Sequence, residues 1–492
     1  MPLQTLMSQL GSAGKRNGRA RQQRLYDLLR RAILDGVLVE GWALPGSRQL
    51  AQEYRLSRNS VIYAYELLRV EGFVQTDRRG TRVAKLVIPP SKPTSVSEVA
   101  PLALSKRALH MGQERHGGEH LPFAPGVPDV NLFPWQKWFR HLERAWKSVG
   151  ARHLAYAPVG GERRLREAIA VQLGLTRGIS CTADQVLVTS GAQTAIDVCS
   201  RLLADQGDVA WVETPGYPSA RAILGASGLQ LVDVPVDAFG MAAPAALWEQ
   251  HTPRLVLVTP SHQYPMGGVM SLERRMQLLD QARRNNCWIL EDDYDSDLQH
   301  TGPQVPAIQS LAAQAAVVYV GTFSKSLYPG LRIGYMVLPE WISQRFSQAA
   351  RQLFTPGQAL EQLALASFME SGDLARHLRH MREVYRERQL CLLQQLEQCF
   401  GNKVRVLGGK AGVHLTCVFA PGVDDRAIAR RASELGVSAS PLSDYGSPGQ
   451  GKQTIPGLVL GYGVADIHQI RQLVPRIQQA YDDVVGTARA TP

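Results

Sequence analysis

The chain has 492 residues, 45% of them hydrophobic and 20% charged, with a formal net charge of +11. That length requires more than one domain, and the composition excludes a disordered or fibrous chain. The charge is uneven: residues 1–88 hold 15 Lys/Arg against 7 Asp/Glu and the remainder 39 against 36, so only the N-terminal block suggests a polyanion partner.

The six cysteines form no CxxC pair, which argues against a disulfide framework or a cysteine zinc site and for a reducing compartment. The N-terminal residues lack the apolar core of a signal peptide, and no apolar run approaches the ~20 residues of a membrane span. A cytoplasmic protein with no membrane partner is expected.

Residues 20–85 form the first unit. "RLYDLLRRAILDGVL" carries Leu25, Leu28, Leu29, Ala32 and Ile33 at helical spacing, and Gly36 and Gly41–Pro45 end that helix. "SRQLAQEY" reads as a second helix. Ser57 is placed to cap a third, "RNSVIYAYELLRVEG", which Gly72 stops. "FVQTDRRGTRVA" reads as two short strands around Asp77–Gly80. A short helix, a tight turn, a second helix and a basic hairpin describe a winged helix-turn-helix that binds double-stranded DNA. Arg58, Asn59 and Ser60 open the third helix, where side chains reach base edges, and Arg48 opens the second. Arg78, Arg79, Thr81 and Arg82 surround the hairpin tip, placed for the backbone or the minor groove. Val61, Leu67, Leu68 and Val70 are assigned to the small core.

Residues 86–120 are rich in Pro, Ser and charge, without periodicity, and read as a linker. From 121 to 490, helical stretches alternate with short apolar strands, at 185–191, 208–213, 254–260, 287–293 and 316–324. That pattern predicts a mostly parallel sheet covered by helices. Residues 375–490 mix a long helix (376–399) with short strands and read as a smaller α+β subdomain.

The strand ends carry a complete set of candidate groups for pyridoxal phosphate. That cofactor needs a lysine for the imine, an acid for the ring nitrogen, an anion cradle and an aromatic lid. In "GTFSKSLYPGLRIGY", Lys325 is the imine candidate, and Thr322, Ser324 and Arg332 make a phosphate site beside it. Asp292 in "ILEDDYDSD" can pair with the ring nitrogen, and Tyr294 can donate to the ring oxygen. "VTSGAQTAIDV" follows a strand and opens a helix, so the N–H groups of Gly191, Ala192 and Gln193 can meet the phosphate. Tyr217 in "VETPGYPS" is the stacking candidate. No His or Cys stands beside the acidic stretch in sequence, so no metal is expected.

The segment "LPGSRQLAQEYRLSRNSVIYAYELLRVEGFVQTDRRGTRV" resembles the GntR-type winged helix. The set "YAPVGGERRLREAIA", "SGAQ", "ETPGYPSAR", "PSHQYPMGG", "EDDYDSD" and "TFSKSLYPGLRIG" resembles fold-type I, class I aminotransferases. By that resemblance Tyr156 reaches the phosphate of a neighbouring subunit, so a homodimer is implied. Two places depart from the pattern. Tyr264 stands where these enzymes usually keep an asparagine for the ring oxygen. Val459, in "GLVLGYG", stands where they usually keep the arginine that grips the substrate carboxylate, unless Arg221, Arg345 or Arg351 substitutes.

Together the two blocks resemble the MocR type of bacterial transcriptional regulator. The resemblance implies a pyridoxal-phosphate-dependent homodimer that senses an amine, or the cofactor itself, through Lys325 and controls genes of amine or vitamin B6 metabolism, with RNA polymerase as a further partner. The alternative is an active aminotransferase with an accessory DNA-binding domain. Val459 weighs against turnover, so no catalytic residue is assigned.

Overall fold

The computed structural model describes residues 18–86, 105–109, 121–155, 158–300, 302, 305–312, 314–409, 411–447 and 455–490. The chain divides into two compact units, Met1–Ala103 and Leu104–Pro492.

In the N-terminal unit, α1 (Gly18–Leu34), α2 (Ser47–Glu53) and α3 (Arg58–Val70) precede the hairpin β1 (Val74–Asp77) and β2 (Gly80–Val83). Leu25, Leu29 and Ile33 of α1 and Val61 and Leu68 of α3 are buried together with Leu50, Val74 and Val83. These residues recur every three or four positions, so each helix turns one stripe inward. Val70 departs from expectation: it lies at the solvent-facing end of α3, 75% exposed, outside the core stripe. Ser57 caps α3 by accepting the Ser60 backbone N–H at 3.1 Å. Gly72, at φ +81°, lets the chain reverse after the helix.

The larger unit is built on an eight-stranded sheet ordered β3-β10-β9-β8-β7-β4-β5-β6. The strands are β3 (Val186–Thr189), β4 (Val209–Thr214), β5 (Gln230–Asp237), β6 (Gly240–Met241), β7 (Leu255–Val258), β8 (Trp288–Asp293), β9 (Val317–Thr322) and β10 (Gly334–Val337). The five strands expected from sequence are present, and β4, β5, β7, β8 and β9 pair in parallel. β10, which the apolar pattern did not separate from the Lys325 segment, runs antiparallel between β3 and β9. The strands β3, β7, β8 and β10 are buried along their whole length; β3, β7 and β10 read as largely apolar runs without alternation, whereas β8 ends in three buried acids, Glu291, Asp292 and Asp293.

Parallel order brings the C-terminal ends of β4, β7, β8 and β9 to one edge, together with the turn after β3. That edge therefore gathers Gly191, Tyr217, Thr259, Asp292 and Thr322, residues far apart in the chain. The C-terminal part has a long helix, Asp373–Phe400, and a four-stranded antiparallel sheet ordered β11-β12-β14-β13. Its strands are β11 (Arg405–Gly408), β12 (His414–Val418), β13 (Ser440–Pro441) and β14 (Gly457–Gly461). Among the described residues no helix is long and apolar enough to cross a membrane.

Ser57→Ala removes the α3 cap while leaving the core intact. It is expected to destabilise the N-terminal unit by about 1 kcal/mol. Urea unfolding of the full chain, followed by exchange of α3 amides, measures this; an unchanged midpoint for those amides contradicts it.

Candidate functional site

The acidic stretch at the end of β8 sorts into distinct roles. Glu291 accepts the backbone N–H groups of Ile308 and Gln309 at 2.8 and 3.0 Å. Asp293 meets Arg177 Nε at 2.8 Å and accepts the hydroxyls of Tyr319 at 2.6 Å and Ser296 at 2.8 Å. Asp295 Oδ2 lies 2.8 Å from His262 Nδ1. Asp292 is 3% exposed, and its Oδ1 has no hydrogen-bond partner, as is also the case for Asp295 Oδ1 and Glu213 Oε1. Burial pushes its pKa up to about 7, helped by the nearby Asp293, Asp295 and Glu213 carboxylates and opposed by Lys325. The site thus holds a buried acceptor that lacks a cationic donor.

Lys325 follows β9, and its Nζ donates to the Gly126 carbonyl at 2.5 Å. A Cβ at Gly126 would lie 3.3 Å from that Nζ, so the glycine leaves the amine room to move. Thr322 Oγ1 donates to Ser324 Oγ at 3.1 Å and accepts the Ser324 N–H at 3.2 Å, which fixes the loop entering Lys325. Arg332 closes the 3-10 turn Pro329–Leu331 in a left-handed conformation, φ +51°. That turn returns its guanidinium to Gly191, where an added Cβ would lie 3.6 Å from the Arg332 nitrogen. Gly191, at φ +99°, is the N-cap of the helix Ala192–Leu203, so its following N–H groups and Arg332 sit at one place. Gln193 Nε2 donates to the Tyr217 hydroxyl at 3.2 Å. Tyr156 lies outside the described residues.

The two departures from the aminotransferase pattern have a structural counterpart. Val459 is fully buried on β14, in a small apolar cluster with Leu442 and Tyr445, against which Tyr264 and Met266 pack. The Tyr264 and Tyr445 hydroxyls are 3.2 Å apart. Opposite Val459 in register is Thr416, whose hydroxyl donates to the Pro265 carbonyl at 2.6 Å, and His414 on the same face donates Nε2–H to that carbonyl at 3.2 Å. Arg221 is ion-paired with Asp233, and Arg345 and Arg351 are exposed along the helix Glu340–Leu353.

The sequence reading missed His262 and His414, which flank Tyr294 and Tyr264. The premise that no histidine stands near the acidic stretch therefore does not hold in space. One ligand-type atom from each of His262, Asp295 and His414 lies within 4.8 Å of the others. The short His262–Asp295 contact places a proton between those two residues. The only sequence signal was their place beside motif residues, in "SHQYP" and "AGVHL".

In the N-terminal unit, Arg48, Arg58, Asn59, Arg78, Arg79 and Arg82 are exposed. Thr81 is half-buried, its hydroxyl 3.2 Å from that of Thr76. Ser60 corrects the reading of a base-contacting residue: it is 5% exposed and its hydroxyl lies 2.7 Å from Ser57 Oγ, so it completes the cap. Ile62 and Tyr63, 39% and 45% exposed, extend the same face one turn beyond Arg58 and Asn59 and join the candidate DNA-reading set.

Fold and site define a DNA-binding winged helix carried on an aminotransferase-like domain. Residues 21–83 match the gntR family of bacterial regulatory proteins, and residues 129–458 match aminotransferase class I and II, a pyridoxal-phosphate-dependent fold family. The chain is 35% identical to a probable rhizopine catabolism regulatory protein, MocR, of Rhizobium meliloti, over 93% of each chain. It is 32% identical to the pyridoxine biosynthesis transcriptional regulator PdxR of Corynebacterium glutamicum, over 93% of this chain and 95% of that one. Among solved structures, α-aminoadipate aminotransferase LysN of Thermus thermophilus, bound to N-(5'-phosphopyridoxyl)-L-leucine, aligns with a TM-score of 0.71 and 26% identity. That alignment covers 78% of this chain and 98% of that one. The chain belongs to the MocR-type transcriptional regulators, GntR-family DNA-binding proteins with an aminotransferase class I and II domain.

Two outcomes follow from this geometry. The folded chain holds the Asp292 proton up to a pH of about 7, whereas the unfolded chain releases it near the ordinary value of 3.8. The Asp292 contribution to stability therefore declines as pH rises between those values. Asp292→Asn is expected to raise the melting temperature of the cofactor-free protein at pH 8 more than at pH 5; an equal change at both contradicts the assignment. Arg79→Ala is expected to weaken binding to a random-sequence duplex and to reduce the slope of log K against log salt by about one. An unchanged slope places Arg79 away from phosphate.

Proposed function

We propose that this regulator binds pyridoxal phosphate at the sheet edge and uses it to sense an amine, or the cofactor's own concentration, in order to change DNA binding. The observation that carries the reading is the convergence of Lys325, the unpartnered Asp292 oxygen and the Arg332–Gly191 cradle on one edge. The donor set fits the group. Asp292 would hold the ring nitrogen protonated, which also satisfies its own buried oxygen. Arg332 and the helix N-terminus at Gly191–Gln193 would hold the phosphate, with Thr322 and Ser324 beside them. Tyr217 would cover the ring face and Tyr294 would donate to the ring oxygen. Tyr156 of a second subunit would complete the phosphate site.

When bound, the cofactor supplies an aldehyde that condenses with primary amines and a ring whose absorbance reports it. Lys325 Nζ is the amine that an effector must displace. The apolar cluster around Val459 gives no charged grip on an α-carboxylate, so the effector is an amine without that requirement, or the cofactor itself. Either effector must bind one state of the dimer more tightly than the other to change how two winged helices meet their half-sites. Genes of amine or vitamin B6 metabolism are the proposed targets, and a cytoplasmic homodimer acting with RNA polymerase is the proposed form. The names of the two relatives support this reading.

Lys325→Ala tests it. The variant is expected to fold, to lose the visible absorbance of the cofactor-loaded protein and to lose the ligand-dependent change in DNA affinity. A variant that keeps both contradicts the proposal.

A further inference from the structure

The Tyr294 hydroxyl has neighbours that the cofactor assignment does not use. Its oxygen lies 3.0 Å from His262 Nδ1, and the same Nδ1 lies 2.8 Å from Asp295 Oδ2. His262 and Asp295 are 2% and 3% exposed. The carboxylate is an acceptor, so Nδ1 carries the proton, a tautomer assigned from the hydrogen-bond network. That proton lies within reach of the phenol oxygen as well.

The chain makes room for this arrangement. Gly412 has φ +76°, and a Cβ there would overlap Asp295 Oδ2 and His262 Nδ1. His414 lies against His262 with ring centroids 5.1 Å apart, and its Nε2–H is held by the Pro265 carbonyl. Burial pushes the His414 pKa down to about 3, so it packs as a neutral ring. Burial, then the charges of Asp295, Tyr264 and Asp292 and a hydrogen bond to Asp295, raise the Tyr294 phenol well above its ordinary value.

Tyr264 occupies the place of the asparagine that usually bonds the ring oxygen, and its hydroxyl faces Tyr445 instead. Tyr294 is then the donor that remains for that oxygen. We infer that His262 and Asp295 are positioning residues for Tyr294, acting as a carboxylate–imidazole–phenol relay that aims its O–H at the cofactor's ring oxygen. This rests on the proposed cofactor site. Asp295 fixes the ring and tautomer of His262. The single His262 Nδ1–H is shared between Asp295 Oδ2 and the phenol oxygen, and with that oxygen so engaged the phenol O–H, which bonds Asp295 here, can turn to a ring oxygen in the pocket. A donor at the ring oxygen draws off part of its negative charge. It thereby lowers the proton affinity of the adjacent nitrogen through which Lys325 is attached.

The test is the pH midpoint of the visible absorbance change in the full-length, cofactor-loaded protein. His262→Leu and Tyr294→Phe are each expected to raise that midpoint by about one pH unit, a tenfold change in proton affinity. The double variant is expected to shift no further than Tyr294→Phe alone, because one relay is removed in both cases. His262→Asn, whose amide N–H can occupy the Nδ1 place, is expected to return most of the way to the wild-type midpoint and serves where the leucine variant folds poorly. A wild-type midpoint in His262→Leu, or additive shifts in the double variant, overturns the relay alone. Absence of any cofactor absorbance in the wild-type protein overturns the cofactor site and the relay with it.

Discussion

A carboxylate buried without a partner for one of its oxygens is the constraint around which the larger unit is arranged. Asp292 sits at the end of a fully buried strand, its Oδ1 unmatched. Its acidic neighbours are partnered: Glu291 by backbone N–H groups, Asp293 by Arg177 and Tyr319, and Asp295 by His262. Asp295 Oδ1 and Glu213 Oε1 are also unmatched, but Asp292 is the acid whose charge Lys325 offsets, which makes its open oxygen available to a group bound beside that lysine. On the proposed reading a protonated heterocyclic nitrogen would answer that need, with Lys325 and Arg332 meeting the aldehyde and the phosphate of the same molecule.

The same edge bears on the proposal that this domain senses a ligand. Aminotransferases of this fold spend substrate-binding energy on an arginine that grips a carboxylate and orients the reacting carbon. Here the corresponding face of the small sheet is closed against the Tyr264–Pro265 turn. Val459 packs with Leu442 and Tyr445, while Thr416 and His414 hold the Pro265 carbonyl. On the proposed reading the cofactor chemistry is retained, while packing around Val459 takes the place of a carboxylate grip. The winged helix, with exposed Arg48, Arg58, Arg79 and Arg82, supplies an output that a metabolic enzyme does not need.

Much of this was legible in the sequence because it rests on local chemistry. Helix caps, such as Ser57, and strand-end motifs, such as "TFSKS", are short and carry their own residue types. What sequence reading could not supply was proximity across long separations. His262, Asp295 and His414 belong to three different segments, and only the sheet order and the small subdomain bring them together. Burial was misjudged at helix ends for a local reason. Ser60 looked exposed at a helix start yet is turned in to Ser57, and Val70 looked like core yet projects outward at the helix end. β10 was hidden because its apolar residues follow the Lys325 loop without a turn signal beyond Pro329–Gly330.

Occupancy of the sheet-edge site is proposed to change DNA binding. The most direct measurement is the affinity of the full-length protein for its own upstream DNA at one fixed salt concentration, with and without saturating pyridoxal phosphate. The account predicts a difference of at least about fivefold, equivalent to ~1 kcal/mol of coupling. Equal affinities in the two conditions, with stoichiometric cofactor bound in one of them and no further change on adding primary amines, would contradict it.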